Sequence, residues 1–196
     1  MKRSSTLLAI AASMLAATLV HAAVSVGQAA PDFKVKDTSG KEQSLSAYKG
    51  KYVVLEWVNP DCPFVKKHYD SSNMQATQKA AEAKGAVWLS VSTGSGGDAA
   101  ELASWVKEKG ATPTATLLDT DGKVGKAFGA RTTPHMYVIN PEGRLVYAGA
   151  IDNKPTANKA DVKGATNYVT AALNEAMAGK AVSKASSEPY GCSVKY

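Results

Sequence analysis

Two shortages limit what this chain can do. Basic residues never form runs with interleaved aromatic side chains, so the sequence offers no nucleic-acid patch. Cysteine occurs only twice and histidine three times, and one histidine falls within the first 22 residues. Thiol or metal chemistry beyond that segment must therefore use Cys62, Cys192, His68 and His135.

The remaining composition is that of a folded domain. The chain has 196 residues, of which 44% are hydrophobic and 20% are charged. Its formal net charge of +6 falls to +4 when Lys2 and Arg3 are removed. The lysines are scattered at helix-face spacings, so we interpret them as a solvated surface.

The first 22 residues follow the pattern of a signal peptide. Two basic residues precede the apolar run LLAIAASMLAATLV, and VHA supplies small residues before a cut after Ala22. An uncleaved amphipathic anchor is the alternative, although the run is short for a membrane span. We predict export, most simply to the periplasm, and no membrane attachment after cleavage.

The rest of the chain predicts one domain and a tail. We assign residues 23–182 to the domain and residues 183–196, which include Cys192, to a polar C-terminal tail. The aromatic residues and the cysteine of this tail suggest that it docks onto the domain.

Hydrophobic periodicity predicts an α/β sandwich in which the first strand connections are parallel and the last two strands are antiparallel. The predicted elements are a short hairpin or loop-rich entry within residues 30–50, strands at 51–58, 85–93 and 114–119, helices at 63–84 (interrupted at 70–73), 98–109 and 121–130, a hairpin at 135–150, and a helix at 162–178.

Cys62 follows the first buried strand in the stretch EWVNPDCPFVKKHY. Pro63 fits the first turn of a helix, which places Cys62 at or near the N-cap. The N–H groups and the positive end of the helix would then favour the thiolate, and Lys66 would add positive potential. The alternative is a small buried core residue.

Longer stretches are similar to a known family. APDFKVKDTSGKEQSLSAYKGKYVVLEWVNPDCPF and GKAFGARTTPHMYVINPEGRLVYAGAIDN resemble the redoxins, and GCSVKY resembles the tail of a peroxiredoxin-like subgroup. The redoxins are the alkyl hydroperoxide reductase–thiol-specific antioxidant family of the thioredoxin fold. The resemblance implies a thioredoxin-like three-layer sandwich with a mixed central sheet flanked by helices.

The resemblance also implies roles for individual residues. Cys62 matches the first cysteine of the thioredoxin C-x-x-C motif, and Thr133 and Pro134 match the cis-proline pair that docks substrate. The sequence alone would favour an ordinary trans Pro134. Val65 stands where the second cysteine is expected, so Cys192 becomes the candidate resolving thiol or the partner in a static disulfide.

The implied activity is thiol–disulfide exchange with protein or small-molecule thiols and disulfides, without a cofactor. Thiol peroxidase activity is an alternative, but the peroxiredoxin P-x-x-x-T-x-x-C pattern is absent and Arg131 is only loosely placed as a peroxide-binding arginine. A copper or zinc site using the cysteines, His68 and His135, and a non-catalytic binding module, are further alternatives. We predict no metal site.

Overall fold

The computed structural model describes residues 23–196, so the predicted signal peptide lies outside the described residues. Nine strands and five helices are present among them. The strands are β1 (Lys34–Lys36), β2 (Glu42–Ser44), β3 (Val53–Trp57), β4 (Val87–Thr93), β5 (Ala115–Asp119), β6 (Thr132–Thr133), β7 (His135–Ile139), β8 (Leu145–Gly149) and β9 (Cys192–Ser193), and the helices are α1 (Pro63–Asp70), α2 (Asn73–Glu82), α3 (Ala99–Glu108), α4 (Lys123–Phe128) and α5 (Tyr168–Met177).

A five-stranded mixed sheet forms the centre, in the order β5-β4-β3-β7-β8. The pairs β3–β4 and β4–β5 are parallel, whereas β3–β7 and β7–β8 are antiparallel. Helices cover the sheet, and apolar clusters fill both of its faces. The predicted α/β thioredoxin-like sandwich with a mixed central sheet is therefore confirmed.

The two central strands, β3 and β4, are buried along their whole length. Their runs of Val, Leu and Trp suit a strand that is covered on both faces. The carboxyl end of β3 leads directly into the NPDC turn and α1, and this connection sets the position of Cys62.

The sequence placed the start of the last helix too early. The helix begins at Tyr168, and Lys159–Val162 forms a separate 3₁₀ turn. Gly164 has a φ of +79°, a conformation that interrupts a right-handed helix. The Asn167 side chain then caps α5 by accepting a hydrogen bond from the Thr170 N–H at 2.9 Å.

The C-terminal tail docks along the domain. Its first part runs beside β8, where the Ala148 N–H donates to the Ala185 carbonyl at 3.1 Å. Its last part forms β9, which pairs with β6. Within residues 23–196 no helix has the length and apolar character to cross a bilayer.

Candidate functional site

Cys62 is the N-cap residue of α1. The turn before it is held by the Asn59 carbonyl, which accepts from the Cys62 N–H at 3.1 Å, and Pro63 opens the helix. Only 2% of Cys62 is exposed. The predicted placement at a strand end and helix N-terminus is thus present, but the sulfur is covered.

Thr133 lies against the Cys62 sulfur. The thiol donates a hydrogen bond to the Thr133 carbonyl, with 3.0 Å between sulfur and oxygen. The peptide bond between Thr133 and Pro134 is cis. The family resemblance implies this geometry, whereas the sequence alone favours a trans bond.

The tail brings Cys192 to the same place. β9 pairs antiparallel with β6, so that Cys192 faces Thr133 and Ser193 faces Thr132. The Cys192 backbone N–H points to the Cys62 sulfur at 3.4 Å between nitrogen and sulfur. Both cysteines are free thiols, Cys62 buried and Cys192 partly exposed. Residues that are 130 positions apart therefore share one site.

The two thiols differ in acidity. Burial raises the pKa of Cys62, whereas hydrogen bonding with the side chains of Cys192 and Thr133 lowers it. The N–H groups of Val65 and Cys192 lower it further, and the net pKa lies below the ordinary value. Burial, the hydrogen bond to Cys62 and the charge on Cys62 raise the pKa of Cys192 to about 11. The geometry therefore favours a thiolate on Cys62 and a proton on Cys192.

Other predicted contributors lie elsewhere. Lys66 is half exposed and sits 4.0 Å from Asp61, so its charge faces the surface. Arg131 forms an exposed ion pair with Glu188 at 3.0 Å.

The histidines do not join the cysteines in a metal site. Burial, followed by the charge of Arg131, lowers the pKa of His135 to about 3, and its Nδ1 accepts from the Arg131 N–H at 3.2 Å. His68 bonds to Tyr190. Across residues 23–196, no cluster of three or more His, Cys, Asp or Glu side chains is arranged to hold a metal.

Sequence reasoning missed a buried polar cluster under the tail. The scattered lysines predict a solvated surface, but Lys67 is 1% exposed and donates to the Lys154 carbonyl at 2.6 Å. Its Nζ lies 4.0 Å from a carboxylate oxygen of Asp152. His68, fully buried beside it, contacts the Tyr190 hydroxyl at 3.0 Å. The polar sequence FVKKHYD gave no signal that these two side chains point inward.

Glu56 is a second missed residue. It is fully buried on β3 and accepts hydrogen bonds from Trp88 at 2.8 Å, Tyr69 at 2.8 Å and Ser90 at 3.1 Å. Burial raises the pKa of its carboxyl, against the lowering effect of these donors. A lone Glu within the apolar run YVVLEWV was the available signal, because such a residue must find partners when buried.

Comparison with known proteins decides the family. Residues 26–148, more than half of the chain, match the model of the AhpC/TSA family. The chain belongs to the AhpC/TSA family. The family resemblance predicted from the sequence is therefore confirmed.

Curated relatives carry two different activities in their names. The chain is 32% identical over 123 residues to the thiol-disulfide oxidoreductase ResA of Bacillus subtilis, a match that covers 63% of this chain and 66% of ResA. It is 29% identical over 147 residues to the peroxiredoxin Bcp of the same organism, covering 63% of this chain and 83% of Bcp.

Solved structures of low sequence identity share the fold. A hypothetical protein from Sinorhizobium meliloti superposes with a TM-score of 0.73 at 22% identity, covering 89% of this chain and 96% of that one. The thioredoxin domain of a thiol-disulfide oxidoreductase from Bacteroides vulgatus gives a TM-score of 0.56 at 22% identity, covering 72% and 98%. These neighbours support the thioredoxin-like fold alone.

Proposed function

We propose that this chain is an exported redox protein that carries out thiol–disulfide exchange through Cys62, with Cys192 as its partner thiol. The observation that carries the proposal is the position of the Cys192 N–H, 3.4 Å from the sulfur of Cys62. The lowered pKa of Cys62 and the raised pKa of Cys192 give the pair a nucleophile and a proton reservoir.

The exchange step uses both thiols in turn. The Cys62 thiolate attacks one sulfur of a substrate disulfide and releases the other as a thiolate. Cys192, once its proton has passed to a released substrate thiolate, then attacks the Cys62 sulfur of this mixed disulfide and releases the second substrate sulfur as a thiolate. The products are a Cys62–Cys192 disulfide and a reduced substrate, so two electrons pass from the protein to the substrate.

Thr133 and Pro134 form the proposed substrate-docking edge. The Thr133 carbonyl contacts the Cys62 sulfur, and β6, which β9 covers in this structure, would offer its backbone to a substrate once the tail moves aside. The substrates would be thiols and disulfides of proteins or small molecules, as the name of the relative ResA suggests.

Export to the periplasm is part of the proposal. The pattern of residues 1–22 supports a signal peptide, followed by a domain at 23–182 and a tail at 183–196. An oxidising compartment would keep a pair of cysteines available for disulfide formation.

A redox titration tests the proposal. The protein lacking residues 1–22 is equilibrated across a dithiothreitol series, and its free thiols are counted by mass-shift alkylation. A Cys62–Cys192 potential above about −230 mV supports exchange, whereas one below about −300 mV indicates a structural disulfide. Failure to form a bond overturns the proposal.

Trapping provides the second test. Cys192→Ser should retain a mixed disulfide with substrate on Cys62, because no thiol remains to release it. Cys62→Ser is the matched control. Equal hydrogen-peroxide consumption before and after Cys62→Ser would exclude the peroxidase alternative that the relative Bcp raises.

A further inference from the structure

Tyr190 connects the tail to the helix that carries Cys62. It stands two residues before Cys192, and its ring packs against Phe64 with 5.9 Å between centroids. The Lys67 Nζ lies 5.4 Å from the centre of the same ring. Phe64 and Lys67 both belong to α1, whose N-cap is Cys62. A short path through one helix therefore links the two cysteine segments.

The Tyr190 hydroxyl occupies a fixed place in a chain of hydrogen bonds. The Asn73 side-chain amide donates to Nδ1 of His68 at 2.8 Å, so Nε2 carries the imidazole hydrogen. His68 Nε2 then donates to the Tyr190 oxygen at 3.0 Å. The Tyr190 hydroxyl donates in turn to Asp152 at 2.5 Å. Each donor in this chain has an acceptor, which fixes the orientation of Tyr190.

His68 and Asp152, the two partners of the Tyr190 hydroxyl, are buried. Asp152 is 2% exposed, and its Oδ2 atom has no hydrogen-bond partner. Burial, against the opposing charge of Asp152 and together with the charge of Lys67, lowers the pKa of His68 to about 4, so the imidazole is neutral near pH 7. Loss of the Tyr190 hydroxyl would take a donor from a buried carboxylate, a costly change.

Gly191, which lies between Tyr190 and Cys192, packs directly against the Thr133 backbone. Its φ is +140°, and a Cβ atom at this position would collide with the Thr133 carbonyl. The segment Tyr190–Cys192 therefore lies directly on the Thr133 backbone, which itself contacts the Cys62 sulfur. Movement of Tyr190 would shift Cys192 relative to Cys62.

We propose that Tyr190 is a positioning residue for thiol–disulfide exchange, which holds Cys192 at the Cys62 sulfur by anchoring the tail to α1 and Asp152. The inference rests on the proposed function, because it assigns Tyr190 a role in that same reaction. A tail held in place gives the two thiols a high effective concentration, whereas a released tail behaves as a flexible linker.

The test is the equilibrium of the Cys62–Cys192 disulfide with reduced and oxidised glutathione, measured by mass-shift alkylation. The equilibrium constant for disulfide formation should fall about tenfold in Tyr190→Ala, because the pair loses effective concentration. Tyr190→Phe keeps the ring and should show a smaller fall. Tyr48→Phe is the matched control, since Tyr48 donates one hydrogen bond to Gln43 at 2.6 Å, away from the tail.

Thermal unfolding of the reduced proteins separates positioning from general stability. A fall in the equilibrium constant for Tyr190→Phe but not for Tyr48→Phe, with both reduced variants fully folded at the assay temperature, supports the inference. Unchanged constants in both Tyr190 variants overturn it while leaving the proposed function intact. Absence of a disulfide in the parent protein overturns both.

Discussion

The carbonyl oxygen of Thr133 lies 3.0 Å from the sulfur of Cys62. The same residue faces Cys192 across the β6–β9 pair, and Gly191 packs against its backbone. One peptide therefore contacts both the nucleophile and the segment that carries its partner. Changes in tail packing should for this reason be detectable at Cys62.

Gly191→Ala should expose Cys62. The added Cβ would collide with the Thr133 carbonyl, and the φ of +140° is one that alanine rarely adopts. Displacement of β9 should raise the alkylation rate of Cys62 by about tenfold, since overpacking of this kind costs about 1–3 kcal/mol. The rate is measured on the reduced protein with iodoacetamide and mass spectrometry.

Gly179→Ala is the control for this substitution. Gly179 also has a positive φ, +70°, but a Cβ there meets no atom within 4 Å. Cys62 should keep the parental alkylation rate in this variant. Equal rates in the two alanine variants would show that the contact with Thr133 does not hold the tail.

The pKa of Cys192 should fall when Cys62 is replaced. Burial, a hydrogen bond to Cys62 and the charge on Cys62 raise the pKa to about 11, so Cys62→Ala should leave only burial as a major raising cause. The pH dependence of Cys192 alkylation should therefore move to lower pH. The reciprocal change, Cys192→Ala, should raise the pKa of Cys62 by removing a hydrogen-bond partner. If the pH dependence of Cys192 alkylation did not change when Cys62 is replaced, the pKa of Cys192 would not depend on Cys62.

Stability should fall as the pH drops from about 6.5 towards 4. His68 has its pKa lowered to about 4, so the unfolded chain binds more protons than the folded one in this window. Below the folded-state pKa, each unit by which folding lowers the pKa of His68 reduces the free energy of unfolding by about 1.4 kcal/mol. Urea unfolding at several pH values measures the slope.

His68→Gln isolates the contribution of this residue. Glutamine does not titrate, so the difference in unfolding free energy between parent and variant should change over the same window. Carboxylates such as Glu56 contribute equally to both proteins and cancel. A difference that is constant with pH would contradict a neutral, buried His68.

Glu56→Leu should destabilise the fold by about 3 kcal/mol, because buried donors that lose their acceptor keep their desolvation cost. The Trp88 indole and the Tyr69 hydroxyl both donate to Glu56 at 2.8 Å. Glu42→Leu, at an exposed ion pair with Lys34, is the comparison and should change stability little. Urea unfolding would contradict this expectation if the two variants were equally stable.

Local sequence patterns predict the structure correctly at positions where tertiary packing favours the same conformation. The buried strand, the turn and Pro63 predicted the N-cap position of Cys62. Asp98, the first residue of the helix predicted at 98–109, caps α3 through a capping box with Glu101. The alanine-rich periodicity predicts a last helix that starts too early, because the pattern continues across Gly164. The positive φ of Gly164 is a property of the backbone, and hydrophobic periodicity carries no information about it.

The tertiary part of the site could not be predicted from local patterns. The inward orientation of Lys67 and His68 is stabilised by Asp152, Lys154 and Tyr190, which are distant in sequence. The docking of Tyr190 likewise depends on partners in α1. By contrast, the pairing of Cys62 with Cys192 was suggested because few thiols were available.

The β6–β9 pairing also bears on self-association. β6 has two residues, and β9 covers its backbone with antiparallel hydrogen bonding. Uncovered strand edges are templates on which further chains add. A tail released by mutation or by a competing peptide would leave such an edge open, so variants that loosen the tail should aggregate more readily with increasing protein concentration. The β6–β9 pairing would then affect both the reactivity of Cys62 and the solubility of the protein.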